Sequence, residues 1–186
     1  MKLTLSVAFV LALACCTWVF AQETPALKLS DIAPEHGFLE RMSGRWNTTL
    51  RFWTSEKDTA ALQLNGKSVC LMDLDGRLLI EQDSTRIQSR IYRSFALLTF
   101  DAGRHQYVET WVDKTNPGML MLTGALNDSG NVLTLRGERE NPKSAKTSVE
   151  LIYRFFNGNY RMLQMWETPQ SGKKRETMEI TYTRGL

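Results

Sequence analysis

Residues 40–52 read ERMSGRWNTTLRF, and the fold turns on how this stretch is parsed. Upstream of it, Pro34 suits a first helical position, and Phe38, Leu39 and Met42 form an apolar stripe. Gly44 supplies the stop. The helix over 35–42 is barely two turns long. It cannot stand alone in water, so it must cap something. Beyond the glycine the period changes to two: Trp46, Leu50 and Phe52 share one face, and Arg45, Asn47 and Arg51 the other. At the far end of the chain, residues 177–184 (TMEITYTR) alternate in the same way. Met178, Ile180 and Tyr182 fall on one face with Arg184, and Thr177, Glu179, Thr181 and Thr183 on the other. If the first and last strands pair, Trp46 and Arg184 meet at one end of the same wall. A guanidinium on an indole is worth about 0.5–2 kcal/mol. Trp46 and Arg184 then form a sealed floor, with the helix behind them.

Between these two strands, turn signals dominate: Asp75-Gly76, Ala102-Gly103, Asn116-Pro117-Gly118, Asp128-Ser129-Gly130, Asn157-Gly158-Asn159 and Ser171-Gly172. The segments they separate are rich in Val, Ile, Thr, Tyr, Phe and Trp, which is strand composition with hairpin punctuation. At about eight to eleven residues each, they suit a tilted barrel wall. The expected fold is all-β: an antiparallel up-and-down barrel of about ten strands with a short N-terminal capping helix. A β-sandwich is the alternative.

A short helix, Gly44-x-Trp46 opening the first strand and Arg184 closing the last resemble the lipocalin and fatty-acid-binding superfamily of calycin barrels. A wider resemblance covers His36 to Arg184. The stretches FDAGRHQYVETWVD (100–113), TGALNDSGNVLTLRGE (123–138) and TMEITYTR are similar to a bacterial family known as domain of unknown function number fifteen seventy-nine. Matching positions are Trp46, Tyr107, Trp111, Asp113, Gly124, Gly130, Leu133, Leu135, Gly137, Glu179 and Arg184. The resemblance implies a lipocalin-like barrel in bacterial, often exported, proteins, and carries no catalytic residue with it. Relatives often have Ser after the strand-ending Asp, where this chain has Lys114.

Met1 and Lys2 precede an apolar run from Leu3 to Phe20, ending in Val19-Phe20-Ala21. This reads as a secretory leader cleaved after Ala21. A membrane anchor, or a lipid on Cys15 or Cys16, is the weaker alternative. The expected organisation is a leader over 1–21, a tether over 22–34 with two prolines, and one barrel domain over 35–186. The mature protein is then periplasmic or secreted, with no stable membrane insertion. Only Cys70 survives cleavage, so no internal disulfide can form. Its place in SVCLM suits a buried, inert thiol. Acidic and basic residues are interspersed and the formal net charge is +3, which argues against nucleic acid as a partner.

Candidate chemistry centres on residues 105–113. His105, Tyr107, Glu109, Trp111 and Asp113 share one face and Val108 and Val112 the other, and either face can point inward. With the aromatic face inward, Tyr107, Glu109 and Trp111 line a cavity, together with Phe52, Met121, Tyr153 and Trp166. The occupant is a small apolar or amphipathic molecule. A buried acid–base set, Glu109 with Tyr107 or Arg136, would instead suit an isomerase, hydrolase or lyase. A third reading is an interaction module with a fully packed core. No hydrolase, metalloprotease or phosphate-loop motif occurs. With only His36 and His105 in the chain, neither a metal site nor haem is expected, and no cofactor is assigned.

Overall fold

The structure is a computed structural model. It describes residues 31–53, 55, 60–114, 118–140 and 146–185. The expected leader and most of the expected tether lie outside the described residues, and Pro34, assigned to the tether, is already helical. The helix, Pro34–Met42, is a 3-10 helix without a side-chain N-cap. Three residues per turn stack His36, Leu39 and Met42 in one line. All three are buried, and Phe38 beside that line is buried as well.

Ten strands follow among the described residues: β1 (Gly44–Phe52), β2 (Leu62–Asp73), β3 (Leu78–Ile87), β4 (Arg90–Asp101), β5 (Gln106–Asp113), β6 (Leu120–Leu126), β7 (Val132–Glu140), β8 (Lys146–Asn157), β9 (Tyr160–Pro169) and β10 (Arg175–Arg184). Each pairs antiparallel with the next, and β10 returns to β1, closing the barrel. Closure satisfies every edge that an open sheet would leave unpaired. The closing register sets Trp46 opposite Arg184, Leu50 opposite Ile180 and Phe52 opposite Met178. A one-residue slip would turn all of these outward. On β10 Met178, Ile180 and Tyr182 are buried as alternation requires, and Glu179 is buried as well, paired with Arg51. A register shift between Glu176 and Met178 also buries Thr177, whose hydroxyl donates to the Met165 carbonyl at 3.4 Å.

One end is closed. Phe38 of the helix meets Tyr107 and Phe155 edge-on at 5.6 and 4.8 Å, and Phe100 meets Tyr107 at 5.1 Å. Gly44 sits at φ +110°, and a Cβ there would collide with the Arg184 guanidinium. Its part is therefore larger than ending a helix: it turns the chain into β1 and leaves room for the arginine. Above this end the interior is filled by side chains such as Leu79, Leu98, Leu122, Leu133, Leu135, Leu151 and Leu163, all buried.

Candidate functional site

The floor comes first in the chain and explains the rest. The Trp46 indole N–H donates to the Met42 carbonyl at 2.8 Å, tying β1 to the helix end. The Arg184 guanidinium lies 3.9 Å from the Trp46 ring centre, donates through Nε to Gly158 O at 2.9 Å, and through Nη1 to Ser43 O. Three chain segments meet at one guanidinium.

A second arginine, Arg161, approaches Trp46 from within the barrel, 5.1 Å from its ring and 3.7 Å from the Tyr182 ring. It is fully buried. Its Nη2 donates to Glu81 Oε1 at 3.0 Å and lies 3.3 Å from Cys70 Sγ. Ser68 donates to the same Glu81 oxygen at 3.4 Å. One step towards the mouth, Ser94 donates to Asp83 Oδ2 at 3.0 Å. Facing them, the Tyr153 hydroxyl lies 3.0 and 2.9 Å from the two Glu109 oxygens. Strands β2, β3, β4, β5, β8, β9 and β10 thus supply a polar belt around a hydrophobic interior.

Burial governs the charges of this belt. It pushes the Asp83 carboxyl up to about 7; the Glu81 charge adds to the rise, and Ser68, Arg161 and Ser94 oppose it. Burial likewise lifts Glu109 to about 8 against the Tyr153 hydrogen bond. Both acids then carry a proton through the mildly acidic range and can donate hydrogen bonds. Burial works against the Arg161 charge, but Glu81 outweighs it and the guanidinium stays ionised. Burial also raises the Cys70 thiol, which leaves it protonated and unreactive.

Several belt atoms have no hydrogen-bond partner among the described residues: Glu81 Oε2, Asp83 Oδ1, Arg161 Nε and Nη1, and the Tyr182 hydroxyl. An unsatisfied buried group costs about 1–3 kcal/mol. Five around one interior therefore represent a large standing demand for hydrogen-bonding partners.

Towards the mouth the lining turns apolar. Leu50, Phe52, Leu62, Leu64, Ile87, Tyr92 and Met178 enclose a pocket of ≈ 60 Å³, small beside the few hundred Å³ of a typical ligand cleft. At the rim, Arg139 pairs with Glu167, and the Trp111 indole donates to Asp113 at 3.1 Å.

Of the residues assigned to a cavity from sequence, Tyr107, Glu109, Trp111 and Tyr153 are buried and inward, and Phe52 lines the mouth. Met121 is a correction: it is 60 % exposed on the outer wall, because the inward positions of β6 are Leu120, Leu122 and Gly124. Trp166 is a second. Arg161, Leu163 and Met165 occupy the inner phase of β9, which leaves Trp166 outside with Lys174 5.5 Å from its ring. The acid–base pairing also changes. Glu109 meets Tyr153, whereas the Tyr107 hydroxyl donates to Glu35 O at 2.9 Å and Arg136 pairs with Glu150 on the exterior at 2.6 Å. His105 sits in an exposed turn at φ +51° and Cys70 is buried. Glu81 and Asp83 had no sequence signal of their own. On β3, polar residues occupy both faces (Glu81 and Asp83 inside, Gln82 and Ser84 outside), so alternation cannot say which face is buried. Arg161 could have been found through its phase with Leu163 and Met165.

Residues 31–184 match the model of the family described as "Protein of unknown function (DUF1579)", and the chain belongs to that family. Among solved structures, it is similar to Rv2717c from M. tuberculosis, at 13 % identity and a TM-score of 0.62, over 84 % of this chain and all of that one. This likeness shows the fold, a closed antiparallel β-barrel. A redesigned β-barrel, b11L5F_LGL, aligns over 84 % of this chain and all of its own, with 10 % identity and a TM-score of 0.42. No curated protein matches the chain in sequence.

Proposed function

For this member of the DUF1579 family we propose an exported, periplasmic or secreted binding protein that holds one small amphipathic molecule inside the barrel. The observation that carries this reading is the set of five polar atoms, without a hydrogen-bond partner among the described residues, on the belt of Glu81, Asp83, Arg161 and Tyr182. The ligand's polar end meets that belt, where the Arg161 N–H groups and a protonated Asp83 donate. Its acceptor-rich end is therefore a carbonyl or carboxyl. Its apolar part lies between Trp111 and the mouth residues Phe52, Tyr92 and Met178, which swing outward on loading because the pocket at rest is too small. Export rests on the leader-like residues 1–21.

Native mass spectrometry and an absorption spectrum of the mature chain, purified without detergent, test this. The expected result is a stoichiometric added mass that is lost or weakened in Asp83→Leu, which removes the donor. An unliganded barrel whose belt is bridged by water alone would overturn the reading.

A second reading, proton-transfer catalysis by an isomerase, hydrolase or lyase, is favoured by Glu109. It is buried, is lifted to about 8 and touches Tyr153, so it can exchange a proton near neutrality. Glu109→Gln would abolish turnover while sparing ligand uptake. Unchanged turnover would exclude Glu109 as the base.

A further inference from the structure

Grooves on the outer wall differ in how their charges are answered, and one of ≈ 620 Å³ over β2–β5 shares Ser84 and Arg93 with the largest and also holds Asp113 and Lys114. Over β7, β8 and β9, a groove of ≈ 360 Å³ holds Arg136 and Lys174, and both pair with Glu150 from the same lining. Across β10 and β1–β4, a larger groove of ≈ 670 Å³ holds Lys67, Arg86 and Arg93. None of these three makes an ion pair among the described residues, and the lining contains no carboxylate. Its remaining side chains are hydroxyls and amides, with Ile91 the only large apolar group.

The sheet register puts these groups in order. Thr183, Asn47, Lys67, Ser84 and Arg93 are direct cross-strand partners in succession, on β10, β1, β2, β3 and β4. They form one row that runs across the strands and follows the curve of the wall, with rungs about 4.8 Å apart along the sheet. Lys67 and Arg93 therefore stand about 10 Å apart with Ser84 between them. Arg86 sits two residues along β3 from Ser84. Gly66 is part of the lining. On the inner side, Thr48 and Thr85 close over this residue, and a Cβ added there would come within 2.8 Å of the Thr48 hydroxyl oxygen.

We propose that this groove is a second binding site, separate from the barrel interior, and that it takes a linear acidic polysaccharide. Unanswered cations in a carboxylate-free trough demand a polyanion. The hydroxyl and amide rungs match a hydroxylated chain whose sugar rings advance by about one rung each, so that carboxylates on alternate sugars reach Lys67 and Arg93. Single-stranded nucleic acid fits less well, because no aromatic side chain lines the groove to stack a base. A bilayer fits less well because the cations lie in a concave trough with one apolar residue, and membrane-surface binding needs buried apolar area.

The test uses the mature chain and fluorescently labelled oligogalacturonate. Binding is expected to saturate and to weaken as salt rises, as an ionic contact requires. Lys67→Gln/Arg93→Gln should weaken it tenfold or more without moving the thermal unfolding midpoint. Ser84→Asp, which places a repelling charge at the central rung, should do the same. Arg136→Gln/Lys174→Gln, in the self-paired groove, should leave it unchanged. The proposal is overturned by absence of saturable binding, by equal loss in both double variants, or by tighter binding of an oligothymidylate or of phosphatidylglycerol vesicles.

Discussion

Two arginines approach the same indole, and they have opposite surroundings. Arg184 lies at the closed end of the barrel, partly exposed, with Ser43 O and Gly158 O accepting its N–H groups. Arg161 lies on the inner side of Trp46 with one carboxylate, and its Nε and Nη1 have no hydrogen-bond partner among the described residues. Both stack on aromatic faces, so cation–π attraction does not separate them. Hydrogen-bond completeness does. Arg184 joins three chain segments and leaves little for a ligand to add. Arg161 leaves donors available in a low-dielectric interior, where each is worth far more than in water. The floor has its hydrogen bonds met, whereas the belt keeps donors and acceptors without partners among the described residues.

The largest effect is expected from removing the element that both arginines share. Trp46→Ala should cost about 3–5 kcal/mol in urea unfolding. Its effect should not add to that of Arg184→Ala, because the two residues touch. Additive losses would show that the stack contributes nothing, and the floor would reduce to apolar packing.

The belt has a sharper signature. Arg161→Met leaves Glu81 buried without its cation and should cost about 3 kcal/mol. Adding Glu81→Leu should recover most of that loss, because an apolar pair can replace a buried ion pair at little cost, while ligand uptake stays lost. Stability recovered together with binding would remove the functional assignment from Arg161. No recovery would make the ion pair a structural element like the floor.

The most graded effect is the pH dependence. Asp83 and Glu109 have native pKa values near 7 and 8, against 3.8 and 4.5 when unperturbed. The native state therefore holds protons that the unfolded chain has released. The stability these protons give is full below about pH 4 and is lost as pH rises through 7 and 8. The decline should reach at most about 1.4 kcal/mol per pH unit for each group, and Asp83→Asn/Glu109→Gln should flatten it. Urea midpoints from pH 4 to 9 check this. A wild-type curve without the decline would mean that the belt acids are solvated in solution.

Much of the barrel was legible from local pattern. The period-two alternation of Met178, Ile180 and Tyr182 assigned the wall, the turn dipeptides marked the hairpins, and Gly44-x-Trp46 with Arg184 gave the closing pair. Each of these signals lies within a few residues of chain, or follows from closure of a single sheet. The candidate site was legible only in part. Strand β5 could be narrowed to two faces but not to one. Met121 and Trp166 were placed inside because large apolar residues there look like lining. The winding of the helix was a further difference. Its eight or nine residues with Gly37 in the middle are too few for helix propensity to choose between α and 3-10, and the tighter form is found with His36, Phe38, Leu39 and Met42 buried.

By itself the sequence determined an all-β chain, the number of its strands and the residues that close it, because strand period and turn chemistry are local properties. Only the tertiary structure decided which polar residues face inward. Ser68, Glu81, Asp83, Glu109, Tyr153 and Arg161 come from five different strands. Nothing local distinguishes them from polar residues of the outer wall until closure buries one face, removes water from it and forces the charges there to find each other or remain unpaired.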